Sequence, residues 1–142
     1  MPGFEPQTDV GLAVVPFDAA METTPTVVEV TLLACPTGAN VRLELLSIGF
    51  RCNTLPVDSA GTGTVLVDIE HIDDSDSDTV SNIRAAYDLE AATVLVYNKV
   101  WSGSKILDAG DAINAEIASD GTLNTASEGG AFIVEYRVLK HS

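Results

Sequence analysis

From residue 26 onward, apolar side chains recur at every second position, and this spacing does most to limit what the chain can fold into. A period of two marks a strand with one face buried, whereas a helix repeats at about 3.6 residues. In Thr64–Ile72, Val65, Val67, Ile69 and His71 share one face, and Asp68 and Glu70 share the other with Leu66 and Ile72. Ala131–Lys140 sets Phe132, Val134, Tyr136 and Val138 against Glu135 and Arg137. Asp111–Ala118 separates Ile113 and Ile117 from Glu116, and Thr26–Leu33 is rich in Val, Thr and Leu. Val41–Phe50 alternates at first and then turns apolar on both faces through Leu46 and Ile48. Thr93–Trp101 is also apolar on both faces, with Val94, Leu95, Val96 and Tyr97 in succession.

Short links with turn chemistry separate these runs: Pro36-Thr37-Gly38, Ser59-Ala60-Gly61-Thr62-Gly63, Ser102-Gly103-Ser104, Ala109-Gly110-Asp111 and Glu128-Gly129-Gly130. Strands punctuated in this way indicate an all-β sandwich or barrel. Thr79–Ala92 fits either a short helix on Val80, Ile83, Tyr87 and Ala91 or a strand ending near Asp88, and its β context favours the strand. With Lys105–Leu107 as a short strand the total is about eight, the number in a jelly roll. The expected fold is all-β, a single jelly-roll-like β-sandwich over residues 26–142.

Residues 1–25 differ in kind. They hold Pro2, Pro6, Pro16 and Pro25, four of the six prolines, which favour extended chain over regular pairing. Phe4, Val10, Leu12, Val14, Val15 and Phe17 make the segment too apolar for an inert linker. It reads as an extended N-terminal arm that lies along a surface, its own or a neighbour's. The alternative is a first edge strand folded back on its own domain.

Composition excludes several classes. The 142 residues suit one domain, and 21 acidic against 7 basic side chains give a net charge of −14. That balance opposes nucleic-acid binding, which needs clustered Lys and Arg. With 46% hydrophobic residues the chain is also not a disordered acidic tail. No apolar run is long enough to span a bilayer, and no basic stretch precedes Val10–Phe17 as a secretory signal would require. Charge is even along the chain, with 2 basic and 9 acidic groups in residues 1–71 and 5 and 12 in residues 72–142.

Two cysteines are too few for a disulfide framework. If Thr26–Ala34 and Val41–Arg51 form a hairpin across Pro36-Thr37-Gly38-Ala39, Cys35 lies at the turn and Cys52 opposite Thr23. The separation is then on the order of 40 Å at strand rise, so both are expected to be reduced, small hydrophobes.

The residues that could carry chemistry have plainer readings. Asp74, Asp76 and Asp78 have a D-x-D-x-D spacing, but the positions where an EF-hand needs Gly and Glu hold Thr79 and Ala85, so this is a solvated loop. His71 and His141 are the only histidines; His71 ends a strand on its inward face and His141 is the penultimate residue, and a lone histidine in such a place reads as a hydrogen-bonded packing residue rather than the base of a catalytic set. Gly61-Thr62-Gly63-Thr64 lacks the helix and lysine of a phosphate cradle, and the Cys and His spacings fit no zinc pattern. Acids are plentiful, but nothing singles out a glycosidase pair, and Trp101, Tyr87, Tyr97 and Tyr136 are few for a sugar platform. No catalytic residue, cofactor or metal is expected, and the chain is not expected to be an enzyme.

Two stretches carry a resemblance. Leu107-Asp108-Ala109-Gly110-Asp111-Ala112-Ile113 is similar to a turn-and-strand of virion jelly-rolls, and Gly130-Ala131-Phe132-Ile133-Val134-Glu135-Tyr136-Arg137-Val138-Leu139 is similar to their closing strand. With the proline-broken terminus, the pattern over residues 26–140 resembles the head decoration, or cement, proteins of tailed bacteriophages. The resemblance implies a homotrimer on the outer surface of the capsid that bridges major capsid proteins. On that reading the chain is made in the host cytoplasm and binds neither nucleic acid nor membrane; the arm itself is read from its residues and not from the resemblance, with Phe4, Val10, Leu12, Val14, Val15 and Phe17 as the expected capsid contacts. At about 25 cal/mol per Å² of apolar area, such an arm contributes several kcal/mol before ordering costs. Trimer formation is also expected from the two-faced apolar strands Val41–Phe50 and Thr93–Trp101. The competing expectation is a glycan- or receptor-binding β-sandwich of a phage fibre or a secreted protein.

Overall fold

The computed structural model describes residues 10–17, 26–38, 40–58, 64–119, 123–125 and 128–140. Its strands are β1 (Val10–Pro16), β2 (Thr26–Ala34), β3 (Val41–Arg51), β4 (Val57–Asp58), β5 (Val65–Asp73), β6 (Thr79–Asp88), β7 (Asn98–Leu107), β8 (Ala112–Ser119), β9 (Leu123–Thr125) and β10 (Ala131–Lys140). Two four-stranded antiparallel sheets, β1-β10-β3-β7 and β2-β8-β5-β6, pack face to face, and β4 pairs with β9 in a small third sheet. The all-β sandwich read from the sequence is the fold.

The long strands pair first with last: β1 with β10, β2 with β8, β3 with β7 and β5 with β6. Counted along the chain as strands one to eight, their order is 1-8-3-6 in one sheet and 2-7-4-5 in the other. A single long antiparallel ribbon, rolled so that its two halves face each other, gives this order. It overturns the hairpin expected between Thr26–Ala34 and Val41–Arg51, because β2 and β3 lie in opposite sheets and the Cys35–Asn40 link crosses between them. Cys35 and Cys52 are both free and buried.

Alternation places the core. Val65, Val67, Ile69 and His71 all point inward from β5, as their spacing predicts, to meet Leu45, Ile48, Phe50, Phe132 and Val134 of the facing sheet. Phe132 lies between Phe50 and Phe17, with ring centroids 5.3 and 5.9 Å away. The core is a sheet-on-sheet interface.

Bulges account for the places where the pattern misled. Between Glu135–Ser47 and Tyr136–Leu45 the β10–β3 register gains an extra residue at Leu46. The inward set of β3 therefore changes parity, from Leu43 and Leu45 to Ile48 and Phe50, all buried. What looked like two apolar faces is one face with a switch in the middle, so this strand no longer argues for a trimer. Ser102-Gly103-Ser104 is likewise not a turn. It lies inside β7, where the register against β3 shifts between Leu45 and Ser47, and Lys105–Leu107 continues the same strand. Thr93–Tyr97 is a loop, and β7 begins only at Asn98. The ambiguous Thr79–Ala92 resolves into β6 followed by a single 3-10 turn, Leu89–Ala91, with Leu89 fully buried.

Part of the segment read as an arm belongs to the sandwich. Residues 10–16 form edge strand β1, paired residue for residue with β10 from Val10–Arg137 to Pro16–Ala131, and Phe17 is in the core. Phe4 and the rest of residues 1–9 and 18–25 lie outside the described residues. Docking of β1 follows from its own inward set of Gly11, Ala13, Val15 and Phe17, whose small members make room for Tyr136. That ring lies over Gly11, where a Cβ would come within 2.6 Å of it. Replacing Phe17 with Ala is expected to cost about 3 kcal/mol of unfolding free energy in a urea titration. An arm lying outside the fold would leave the midpoint unmoved.

Candidate functional site

Charge that is even along the sequence is segregated in the fold. Strands β1, β10, β3 and β7 carry six of the chain's seven Lys and Arg residues (Arg42, Arg51, Lys99, Lys105, Arg137 and Lys140) with only Glu44 and Glu135 as acids. Strands β2, β8, β5 and β6 carry Glu29, Glu116, Asp68, Glu70, Asp73 and Asp88 against Arg84. The two broad faces of the sandwich therefore differ in sign.

Apolar side chains also reach solvent on the basic sheet, as Val27, Val28 and Val80 do on strands of the acidic one. Val10, Leu12 and Val14 of β1 are 47%, 67% and 64% exposed, because they occupy the positions between the inward residues. Val14 lies across from Ile133 and Ile133 across from Gly49, which the Tyr97 ring covers so closely that no side chain fits there. Tyr97 ends an exposed apolar loop, Val94-Leu95-Val96-Tyr97. Asn98 pins this loop: its Oδ1 accepts from Thr93 N–H at 2.8 Å, and its Nδ2 donates to Thr93 O, Val96 O and Phe50 O. Leu95 N–H donates to Cys52 O, and Arg51 Nε donates to Leu95 O. Leu95 is held at φ +67, a left-handed conformation uncommon for a bulky residue. Backbone strain combined with four solvent-facing apolar side chains is a pattern found at interaction surfaces.

Of the expected contact residues, Val10, Leu12 and Val14 face outward, Val15 is half-buried, Phe17 is in the core, and Phe4 lies outside the described residues. The structure thus divides the set by alternation. Sequence reasoning missed the Val94–Tyr97 loop, although an Asn in the middle of a proposed strand is a legible turn signal.

On the acidic face, pairing brings Glu29, Glu116 and Asp68 directly opposite one another on three strands. Carboxylate oxygens of Glu29, Glu70 and Glu116 lie within 4.8 Å of each other. Asn114, opposite Glu70, has a buried Oδ1 without a hydrogen-bond partner. Oxygen donors of this kind suit a hard cation. A shared proton relieves the same repulsion, and Glu70 is pushed above the ordinary carboxylate range by burial and by the charges of Glu116, Glu29 and Asp68, with a hydrogen bond to Glu116. Sequence reading missed this cluster because it depends on strand partners. Asp74, Asp76 and Asp78 do not gather in this way: among the described residues the glutamates are the one such trio. Asp73 instead accepts from Ser75 N and Oγ and starts a 3-10 turn.

The Leu107–Ile113 motif builds a buried polar knot at one end of the sandwich. The Asp111 carboxylate accepts from Asp74 N–H and Asp108 N–H and lies 3.1 Å from His71 Nε2, so three links meet there. Gly110 at φ +89 makes the turn, and its N–H donates to Cys35 O. His71 is the hydrogen-bonded packing residue expected of it. The Cys35 thiol is pushed above its ordinary value by burial and by the charges of Asp111 and Asp108, which leaves it protonated and a poor nucleophile. His141 lies outside the described residues.

The chain matches no protein-family model, and no curated protein matches it.

The glutamate cluster gives a pH test with a definite sign. With its folded value raised, Glu70 binds its proton more tightly folded than unfolded. Stability therefore falls as pH rises from the unfolded value of about 4.3 through the folded one. Glu70→Gln is expected to raise the melting midpoint at pH 7 by about 2–4 °C, with the gain vanishing near pH 4.

Proposed function

We propose that this protein is a structural binding module that acts through a surface, and specifically a decoration or cement protein of a virus head that attaches to the major capsid protein. The observation that carries the reading is the outer face of β1-β10-β3-β7, where exposed Val10, Leu12, Val14 and the Val94–Tyr97 loop lie on the sheet that holds most of the positive charge. Apolar side chains in a basic frame suit adhesion to an acidic protein shell. Apolar contact supplies the affinity, and charge orients a chain that is otherwise repelled. Support for a jelly-roll comes from the 1-8-3-6 and 2-7-4-5 strand orders, and support for a virion role comes from the resemblance of Leu107–Ile113 and Gly130–Leu139. The homotrimer expected from that resemblance has no further observation behind it, and this reading does not include it.

A glycan- or receptor-binding module is the second reading, and exposed Tyr97 is the observation in its favour. Tyr97 covers Gly49 with part of its ring; among the other described Tyr and Trp residues, Tyr87 lies beneath Arg84, Tyr136 over Gly11, and Trp101 is partly buried against the core and close to Gly103.

Heads of the source virus, purified without this protein, supply the test. The chain is expected to co-sediment with them at saturable stoichiometry, and Leu95→Asp with Tyr97→Asp to reduce occupancy at least about tenfold. No binding by the unaltered chain, or unchanged binding by the double variant, contradicts the reading.

A further inference from the structure

The edge strands of the two four-stranded sheets are unequally protected. An edge offers unpaired N–H and C=O groups, and proteins blunt it with charges, bulges or proline. β7 carries Lys99, Lys105 and two register breaks against β3. β2 carries exposed Glu29 and a break at Leu32, while β6 carries Arg84, Asp88, two breaks and left-handed Ala86. β1 has no charged residue, and its register with β10 is unbroken from Val10 to Pro16.

We propose that the side of β1 that no strand among the described residues pairs is a self-pairing edge, where two copies of this chain join antiparallel about a two-fold axis at Leu12. Hydrogen-bond direction sets the register. Phe17 N–H donates to Gly130 O at 2.9 Å, continuing the β1–β10 ladder. In such a ladder alternate residues point their polar groups to the same side, so Gly11, Ala13 and Val15 also face β10, and Val10, Leu12 and Val14 face away. Pro16, next in the outward set, has no N–H to give. Setting Leu12 opposite Leu12 of the second copy pairs Val10 with Val14 and Val14 with Val10. All three donors of each copy are then used, and Pro16 falls beyond the paired stretch. The outward side chains become apolar cross-strand pairs on one continuous face.

Charge argues for the same occupant. A chain of net charge −14 repels its copies, and among the edge strands of the two four-stranded sheets β1 alone brings no charged residue of its own to the contact. It also belongs to the sheet holding most of the positive residues. Salt screens the remaining repulsion, so pairing strengthens as ionic strength rises, opposite to an interface built on ion pairs. This inference goes beyond the capsid reading and does not depend on it: a dimer indifferent to capsids keeps the edge proposal and removes the other.

Sedimentation equilibrium on the full chain tests it, at about 100 μM because a strand-edge contact is small. The expected mass is twice 14.9 kDa, with the paired fraction higher in about 0.5 M salt than in dilute buffer. Val14→Pro removes one outward donor per copy and leaves the β10 ladder intact. Leu12→Lys sets two ammonium groups opposite each other on the axis. Each is expected to weaken pairing about tenfold or more with the melting midpoint nearly unchanged, while Leu95→Lys leaves the mass unaltered. Leu12 is well exposed, so its variant carries the test should the proline disturb folding. A single-copy or three-copy mass in high salt overturns the proposal, as does a dimer that survives both edge variants.

Discussion

The pairing of β1 with β10 holds the first strand in the sandwich, and the contact of Phe17 with Phe132 anchors its end. Once Phe17 is committed to the core, alternation sends Gly11, Ala13 and Val15 inward and leaves Val10, Leu12 and Val14 to solvent. The same commitment fixes which amides face β10 and which face outward. It also explains how a strand tolerates Pro16: the missing N–H falls on the side away from β10. One aromatic contact thus sets the apolar surface, the open edge and the place where that edge stops.

The second organising feature is separation of charge across the two sheets. Each half of the sequence is equally acidic, but folding gathers Glu29, Asp68, Glu70 and Glu116 on one face and most Lys and Arg on the other. The acidic face is left with a clustered carboxylate set that favours a shared proton at Glu70. The opposite face combines positive charge with the pinned Val94–Tyr97 loop. A molecule with faces this different approaches a partner in one orientation, which suits the proposed role in attachment.

Much of the architecture was legible because burial on one face writes itself into period two. Val65, Val67, Ile69 and His71 lie where their spacing put them, and β10 runs over Ala131–Lys140 as read. Periodicity says nothing about partners, so the supposed hairpin of β2 with β3 became a crossing between sheets, and the meeting of Glu29, Glu70 and Glu116 was invisible. A bulge is harder still. One extra residue at Leu46 inverts the parity of β3 and imitates a strand apolar on both faces. The proline-rich terminus misled for a related reason. Proline argues against regular pairing in general but not at an edge position facing away from the ladder.

Residue-resolved amide exchange in dilute, low-salt solution tests most directly whether β1 is a built-in edge with one open side. Slow exchange is predicted at Gly11, Ala13, Val15 and Phe17, with rates near those of unstructured chain at Val10, Leu12 and Val14. Uniformly rapid exchange over residues 10–17 would contradict the account, since it would mean that the strand is an arm lying outside the sandwich.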